Sequence, residues 1–203
     1  MESVNNGSQV VQPEKNEKAH KTTWDQEMRD LFKGKELKPE EATCRPMSEE
    51  APRLYRIWDV SQKTIILTNN MLIATSRNSN EPEQLIRVLP NTNLDPKKQP
   101  IFMSPSDKHT LSCIKSGSRP QLQLAEENIV KLSKKGEELL NFSFYSKTDG
   151  SVETCSFESA EFPGWFLSTS LEPNKPVGLS QQGGTENTLF YFERKELHMF
   201  TLP

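Results

Sequence analysis

From about Leu54 onward the chain is cut into short runs of β-branched, aromatic and leucine residues, each closed off by Asn, Asp, Gly, Pro or Lys clusters. The runs are "LYRIWDV", "TIIL", "MLIAT", "QLIRVL", "PIFM", "TLSCIK", "QLQL", "FSFYS", "ETCSFES", "WFLST", "PVGL" and "TLFYFE", twelve in all. Runs of this length at this spacing predict an all-β barrel or sandwich. Only "EENIVKLSKKGEELL" has helical spacing, which predicts a turn of helix there.

A weak internal repeat favours the barrel over the sandwich. "YRIWDVSQKTIILTNN", "IFMSPSDKHTLSCIKSG" and "FSFYSKTDGSVETCSFES" each read strand, polar turn, strand, with starts about 46 and then about 42 residues apart. Three such units predict a twelve-stranded β-trefoil with pseudo-threefold symmetry, a barrel whose closure removes exposed sheet edges. Its domain is expected to span 53–195, followed by a C-terminal tail over 196–203.

Residues 1–52 differ in character. They are rich in Glu, Lys, Gln, Asn and Pro, and their sparse apolar residues cannot offset the entropy of ordering. This stretch is expected to be a mostly disordered pro-segment. Within it, "TTWDQEMRDLFKG" predicts a marginal amphipathic helix, capped by Thr23 and ended by Gly34. Trp24, Met28, Leu31 and Phe32 share one face. A docking peptide is the other reading.

Composition excludes several classes. The net charge is -3, so no strong field draws the chain to nucleic acid or anionic lipid. No apolar run reaches the roughly 18 residues of a membrane span, and no secretory h-region opens the sequence. Three cysteines (Cys44, Cys113, Cys155) predict reduced thiols, with Cys113 and Cys155 serving as small buried apolar groups. His20, His109 and His198 lack metal-ligand spacing, and no nucleophile elbow or phosphate loop is present. No enzyme activity, metal or cofactor is expected. The sequons at Asn6 and Asn141 are expected to be unused without entry to the secretory pathway.

The stretch "FESAEFPGWFLSTSLEPNKPV" carries the most specific pattern. Phe157, Ser159, Ala160, Pro163, Phe166, Leu167, Ser168, Thr169 and Val177 fit the signature of the interleukin-1 family. "YRIWDVSQKTIIL", "NNMLIA", "LSCIKSG", "QLQLAEENIVKL" and "TLFYF" follow in the family's order. The resemblance covers about Leu54 to Arg194 and is nearest to the receptor-antagonist, interleukin-38 and interleukin-36 branch. It implies a twelve-stranded β-trefoil and agrees with the strand count. Pro163 and Gly164 would form a corner, and Phe157, Trp165 and Phe166 would fill or cap the barrel.

The resemblance also implies a function. Such proteins are extracellular ligands that bind the immunoglobulin-like ectodomain of an interleukin-1-type receptor. An agonist recruits an accessory receptor chain, and an antagonist does not. Trp58, Gln62 and Tyr191 match receptor-contacting positions. Leu189 stands where several agonists carry Asp and the interleukin-1 antagonist carries Lys, which leans towards antagonism, although Glu186 supplies an acid in the same loop. The segment "TSRNSN" lacks the antagonist's Tyr and Gln. In the interleukin-36 branch, trimming occurs nine residues before an aliphatic-any-Asp motif. Ile57, Trp58 and Asp59 match it, giving Ser48 as the mature start. A monomer, leaving the cell by an unconventional route from a cytoplasmic precursor, completes the expectation. A basic cluster for heparin and the repeated Gln-x-Trp of sugar-binding trefoils are both missing.

Overall fold

The computed structural model describes residues 21–33, 51–77, 82 and 84–196. Four strands open the fold: β1 (Arg53–Asp59), β2 (Thr64–Thr68), β3 (Met71–Thr75) and β4 (Ile86–Pro90). A second set follows: β5 (Pro100–Ser104), β6 (Thr110–Ser116), β7 (Arg119–Ala125) and β8 (Phe144–Thr148). The third contains β9 (Thr154–Ser159), β10 (Trp165–Ser168), β11 (Lys175–Pro176), β12 (Gly178–Gln181) and β13 (Phe190–Lys195).

Six of these strands close into a ring. β1 pairs with β4, β4 with β5, β5 with β8, β8 with β9, β9 with β13, and β13 returns to β1, all antiparallel. The hairpins β2–β3, β6–β7 and β10–β12 cover one end. This is the β-trefoil that the short strands predicted. Strand alternation sends Tyr55, Ile57, Val88, Ile101, Met103, Phe144, Cys155, Phe157 and Phe190 into one buried core. A smaller core of Leu89, Phe102, Ile129 and Leu132 lies under α2 (Ile129–Ser133), the turn of helix expected there. Asn128 caps it by accepting from the Val130 and Lys131 amides.

Two details depart from the sequence reading. The third repeat begins one strand later than the text pattern suggests. The β8–β9 hairpin spans the seam between lobes, and β9–β10 is the true counterpart of β1–β2 and β5–β6. Strand-turn-strand text cannot separate a lobe from a seam, because both are hairpins. "PVGL" is also split: Lys175 and Pro176 pair with β3, and residues from Gly178 pair with β10. Between them, Val177 turns into the core while its amide donates to Leu72 O.

The signature stretch is mainly architectural. Phe157 lies in the core, and the Phe162 amide donates to Ser159 Oγ. Gly164 has φ +86°, with open space where a Cβ would stand, so glycine is needed at this corner for its backbone conformation. Trp165 is half-buried, with the Arg119 guanidinium 5.4 Å from its ring centre. Cys113 and Cys155 are free thiols, both buried as expected.

The N-terminal helix is not marginal in its setting. α1 (Trp24–Lys33) begins with a reciprocal box: Gln26 N donates to Thr23 Oγ1, and Thr23 N donates to Gln26 Oε1. Trp24 and Met28 are fully buried and belong to the main core, with Leu31 and Phe32 packed beside them. The Trp24 ring lies 5.0 Å from Tyr55, 5.3 Å from Phe157 and 5.1 Å from Phe192. A ten-residue helix is unstable alone; burial of this face against the barrel supplies what local propensity lacks. The remainder of the pro-segment expected to be disordered, with Gly34, Cys44 and Ser48, lies outside the described residues.

Candidate functional site

β1 and β13 run side by side, with Trp58 opposite Tyr191 and Arg56 opposite Glu193. The even-numbered β1 residues point outward, because Tyr55, Ile57 and Asp59 occupy the inside. Trp58 and Tyr191 stack there with centroids 5.7 Å apart and planes 22° from parallel. The Arg56 guanidinium lies 4.6 Å from the Trp58 ring centre, and that of Arg77 lies 6.0 Å away. Arg56 also pairs with Glu193 at 3.7 Å. Glu193 is held below the usual carboxylate range, chiefly by its hydrogen bond from Lys195, with help from the charges of Arg56 and Lys21. The result is a rigid, half-buried aromatic pair framed by two guanidinium groups. Such a surface offers large contact area at low cost in side-chain entropy.

Gln62 lies in the tight turn after β1. Its amide donates to Asp59 O at 2.9 Å, and its φ is +65°. The side chain is exposed. A glutamine held in the left-handed region is a stored strain of about 1 kcal/mol.

Asp59 fixes this turn from below. It is fully buried, and its Oδ1 accepts from the amides of Ser61 at 3.0 Å and Lys63 at 2.8 Å. Oδ2 accepts from Thr169 Oγ1 at 2.5 Å and from Asn187 Nδ2 at 3.4 Å. Lys63 Nζ sits 2.9 Å from the same oxygen, an ion pair almost wholly out of water. One carboxylate thus ties the β1–β2 turn to the end of β10 and to the loop before β13.

Leu189 is half-buried in that loop. Its carbonyl accepts from the Val60 amide at 3.3 Å, beside the same turn. A Cβ added at Gly150 would stand 2.5 Å from Leu189 Cδ1, so the leucine lies directly over the β8–β9 turn. Glu186 is exposed and accepts from Ser168 Oγ at 3.3 Å.

The structure therefore joins Trp58 with Tyr191, and sets Gln62 and Leu189 on two adjoining turns. Ile57 and Asp59 are buried, so in the folded chain their side chains are not open to a protease. Arg56, Arg77 and Glu193 were missed. Arg56 could have been found by strand alternation from Trp58; nothing in the sequence brings Arg77 there.

A family model described as Interleukin-1 / 18 matches residues 74–192. This chain belongs to the interleukin-1 family. Interleukin-1 receptor antagonist protein from Sus scrofa is 38% identical over 168 residues, covering 77% of this chain and 88% of that protein. The Homo sapiens protein of the same name is 37% identical over the same shares of both chains, and the Mus musculus one 40% identical. Among solved structures, interleukin-36alpha aligns with TM-score 0.60 at 28% identity, covering 74% of this chain and 98% of its own. Chicken interleukin 1 beta aligns at 0.57 and 28%, covering 70% and 96%. The chain is thus a family cytokine, a signalling protein rather than an enzyme. Among the described residues, no helix is long and apolar enough to cross a membrane.

Proposed function

We propose that this chain is an extracellular ligand that binds an interleukin-1-type receptor ectodomain through the outer face of β1 and β13, and that it acts as a receptor antagonist. The observation that carries the reading is the Trp58–Tyr191 stack with Arg56 above it. Aromatic and arginine anchors at the centre of a patch supply most of the energy of a typical interface. The antagonist lean draws on the relatives' names and on Leu189, an apolar residue packed over Gly150 where an agonist of this family carries an acid.

The protein is a monomer in this reading, released by an unconventional route from a cytoplasmic precursor. Trimming yields a chain starting at Ser48, with Ile57 and Asp59 acting as a positional marker rather than a protease contact. The segment before Ser48 hinders the receptor.

A reporter assay tests this. The full and Ser48-start chains are applied alone, then in competition with interleukin-1 and interleukin-36 agonists. Suppression of one agonist by the shorter chain, lost in Trp58→Ala and Tyr191→Ala, supports antagonism and names the receptor. Signal from the shorter chain alone supports an agonist that recruits an accessory chain, the reading the exposed Glu186 favours. Equal receptor affinity of the two chains removes the hindrance idea.

A further inference from the structure

Opposite the three hairpins, the barrel ends in a site shaped for a helix. Arg53 starts β1, Gln99 precedes β5, Thr148 ends β8 and Arg194 lies near the end of β13. All four converge on α1. Gln99 Nε2 at 2.8 Å and the Thr148 amide at 2.9 Å both donate to Asp25 Oδ1, while Thr148 Oγ1 accepts from the Asp25 amide at 3.0 Å. Two residues on, Tyr55 OH donates to Glu27 Oε2 at 2.7 Å, with Arg53 at 3.3 Å and Arg194 at 3.9 Å from the same oxygen. Between these two carboxylate cradles, Tyr55, Phe157 and Phe192 form the hole that Trp24 fills.

We propose that this end of the barrel is a peptide-binding site, that its ligand class is an amphipathic helix led by tryptophan with two carboxylates in its first turn, and that α1 is its tethered occupant. The spacing it reads is Trp24, Asp25, Glu27, Met28: an aromatic, a carboxylate on the next residue, a second one two further, and an apolar group one turn above the first. The family match starts at Ala74 and leaves α1 outside it. The site does not depend on the receptor reading, because it uses the inward face of the two strands whose outward face carries Trp58 and Tyr191.

Two features make the occupant removable. Trp24 Nε1 is buried and finds no acceptor among the described residues, so the fit in the hole is imperfect. Residues 34–50 connect Lys33 to Ala51, a tether that could extend for roughly 3.3–3.6 Å per residue. A covalent link of about this length supplies an effective concentration on the order of millimolar. Joined, α1 stays seated; cut anywhere in 34–50, it faces its own dilution and melts on leaving. Cleavage then opens an aromatic hole between two arginines.

The test uses the full chain with a specific protease site placed within 34–50. After cutting, size exclusion and tryptophan fluorescence are followed on dilution from about 100 µM to about 10 nM. Peptide 21–33 is then titrated back. We expect co-elution when concentrated, release on dilution, and saturable rebinding with a Kd between about 1 µM and about 1 mM, tighter than the tether's effective concentration. Amide shifts should centre on Tyr55, Gln99, Thr148, Phe157 and Phe192. A Trp24→Ala peptide should bind at least about 10-fold more weakly, and a Glu27→Gln peptide should lose most of its salt dependence. Three results overturn the proposal: a fragment that never leaves, a barrel that unfolds when it does, or a peptide that fails to rebind at about 1 mM. As a check without cutting, Trp24→Ala in the intact chain should release α1 and leave the barrel's own amide spectrum folded.

Discussion

Thr169 Oγ1 donates to the buried Asp59 Oδ2 at 2.5 Å, and this bond joins the family signature to the turn that carries Gln62. The threonine of the signature thus supports the candidate face without reaching it. Its hydroxyl is one of the groups that make a buried carboxylate tolerable, along with two amides and the Lys63 ammonium.

Asp59→Asn should therefore be damaging. It leaves the Lys63 ammonium buried without its counter-charge, a loss of about 3–5 kcal/mol. Thermal unfolding checks this. The pair of changes Asp59→Leu with Lys63→Met should cost less than Asp59→Asn alone, because no orphan charge remains. Both variants should still weaken the receptor face, since the turn loses its tie to Asn187.

Gln62→Gly should separate stability from binding. Glycine adopts φ +65° without strain, but it also has more freedom in the unfolded chain. We expect unfolding free energy within about 1 kcal/mol of the parent. If the side chain touches the receptor, affinity should fall several-fold in the same variant, as read by surface plasmon resonance. An unchanged affinity would remove Gln62 from the site.

Trp24→Phe and Trp24→Ala should differ sharply. Alanine removes three ring contacts and should unseat α1, so the intact chain loses the docking of the helix, about 3–5 kcal/mol. Phenylalanine keeps much of the packing and removes the indole N–H that finds no acceptor among the described residues, so a loss below about 2 kcal/mol is expected. Denaturant midpoints decide this; equal losses would show that the hole does not read ring shape.

Alkaline pH should destabilise the fold before it alters the surface. Burial pushes the Cys113 thiol up to about 11 and the Cys155 thiol well above its usual value. Burial, reinforced by the hydrogen bond to Glu27, also raises the Tyr55 hydroxyl. In each case the unfolded chain releases its proton first. The stabilisation is therefore complete below the thiols' unfolded pKa of about 8.5 and is lost as pH rises from there towards 11. Every tenfold difference in proton affinity between the folded and unfolded chain is worth about 1.4 kcal/mol. Cys113→Ala should be less stable at pH 7, yet show a shallower fall over that window. Ellman's reagent should label neither Cys113 nor Cys155 in the native state.

The strand pattern, the trefoil and the family were legible in the sequence because they depend on local signals: period-two alternation, turn formers, and a signature whose residues sit close together. Trp58 and Tyr191 were also legible, as single residues in matching motifs. Their stacking was decided by the register between β1 and β13, and Arg77, just past β3, was brought beside Trp58 by the pairing of β2 with β3. Register is a property of two strands far apart in the chain, and no window of sequence contains it. The same holds for Asp59, which the sequence offers only as part of a processing motif and which the fold makes a buried hub. It holds most for α1. Its spacing and cap were written in the sequence, but ten residues cannot hold a helix unaided. The barrel decided its fate by offering Trp24 a hole between Tyr55, Phe157 and Phe192, contributed by three strands that only the closed ring brings together.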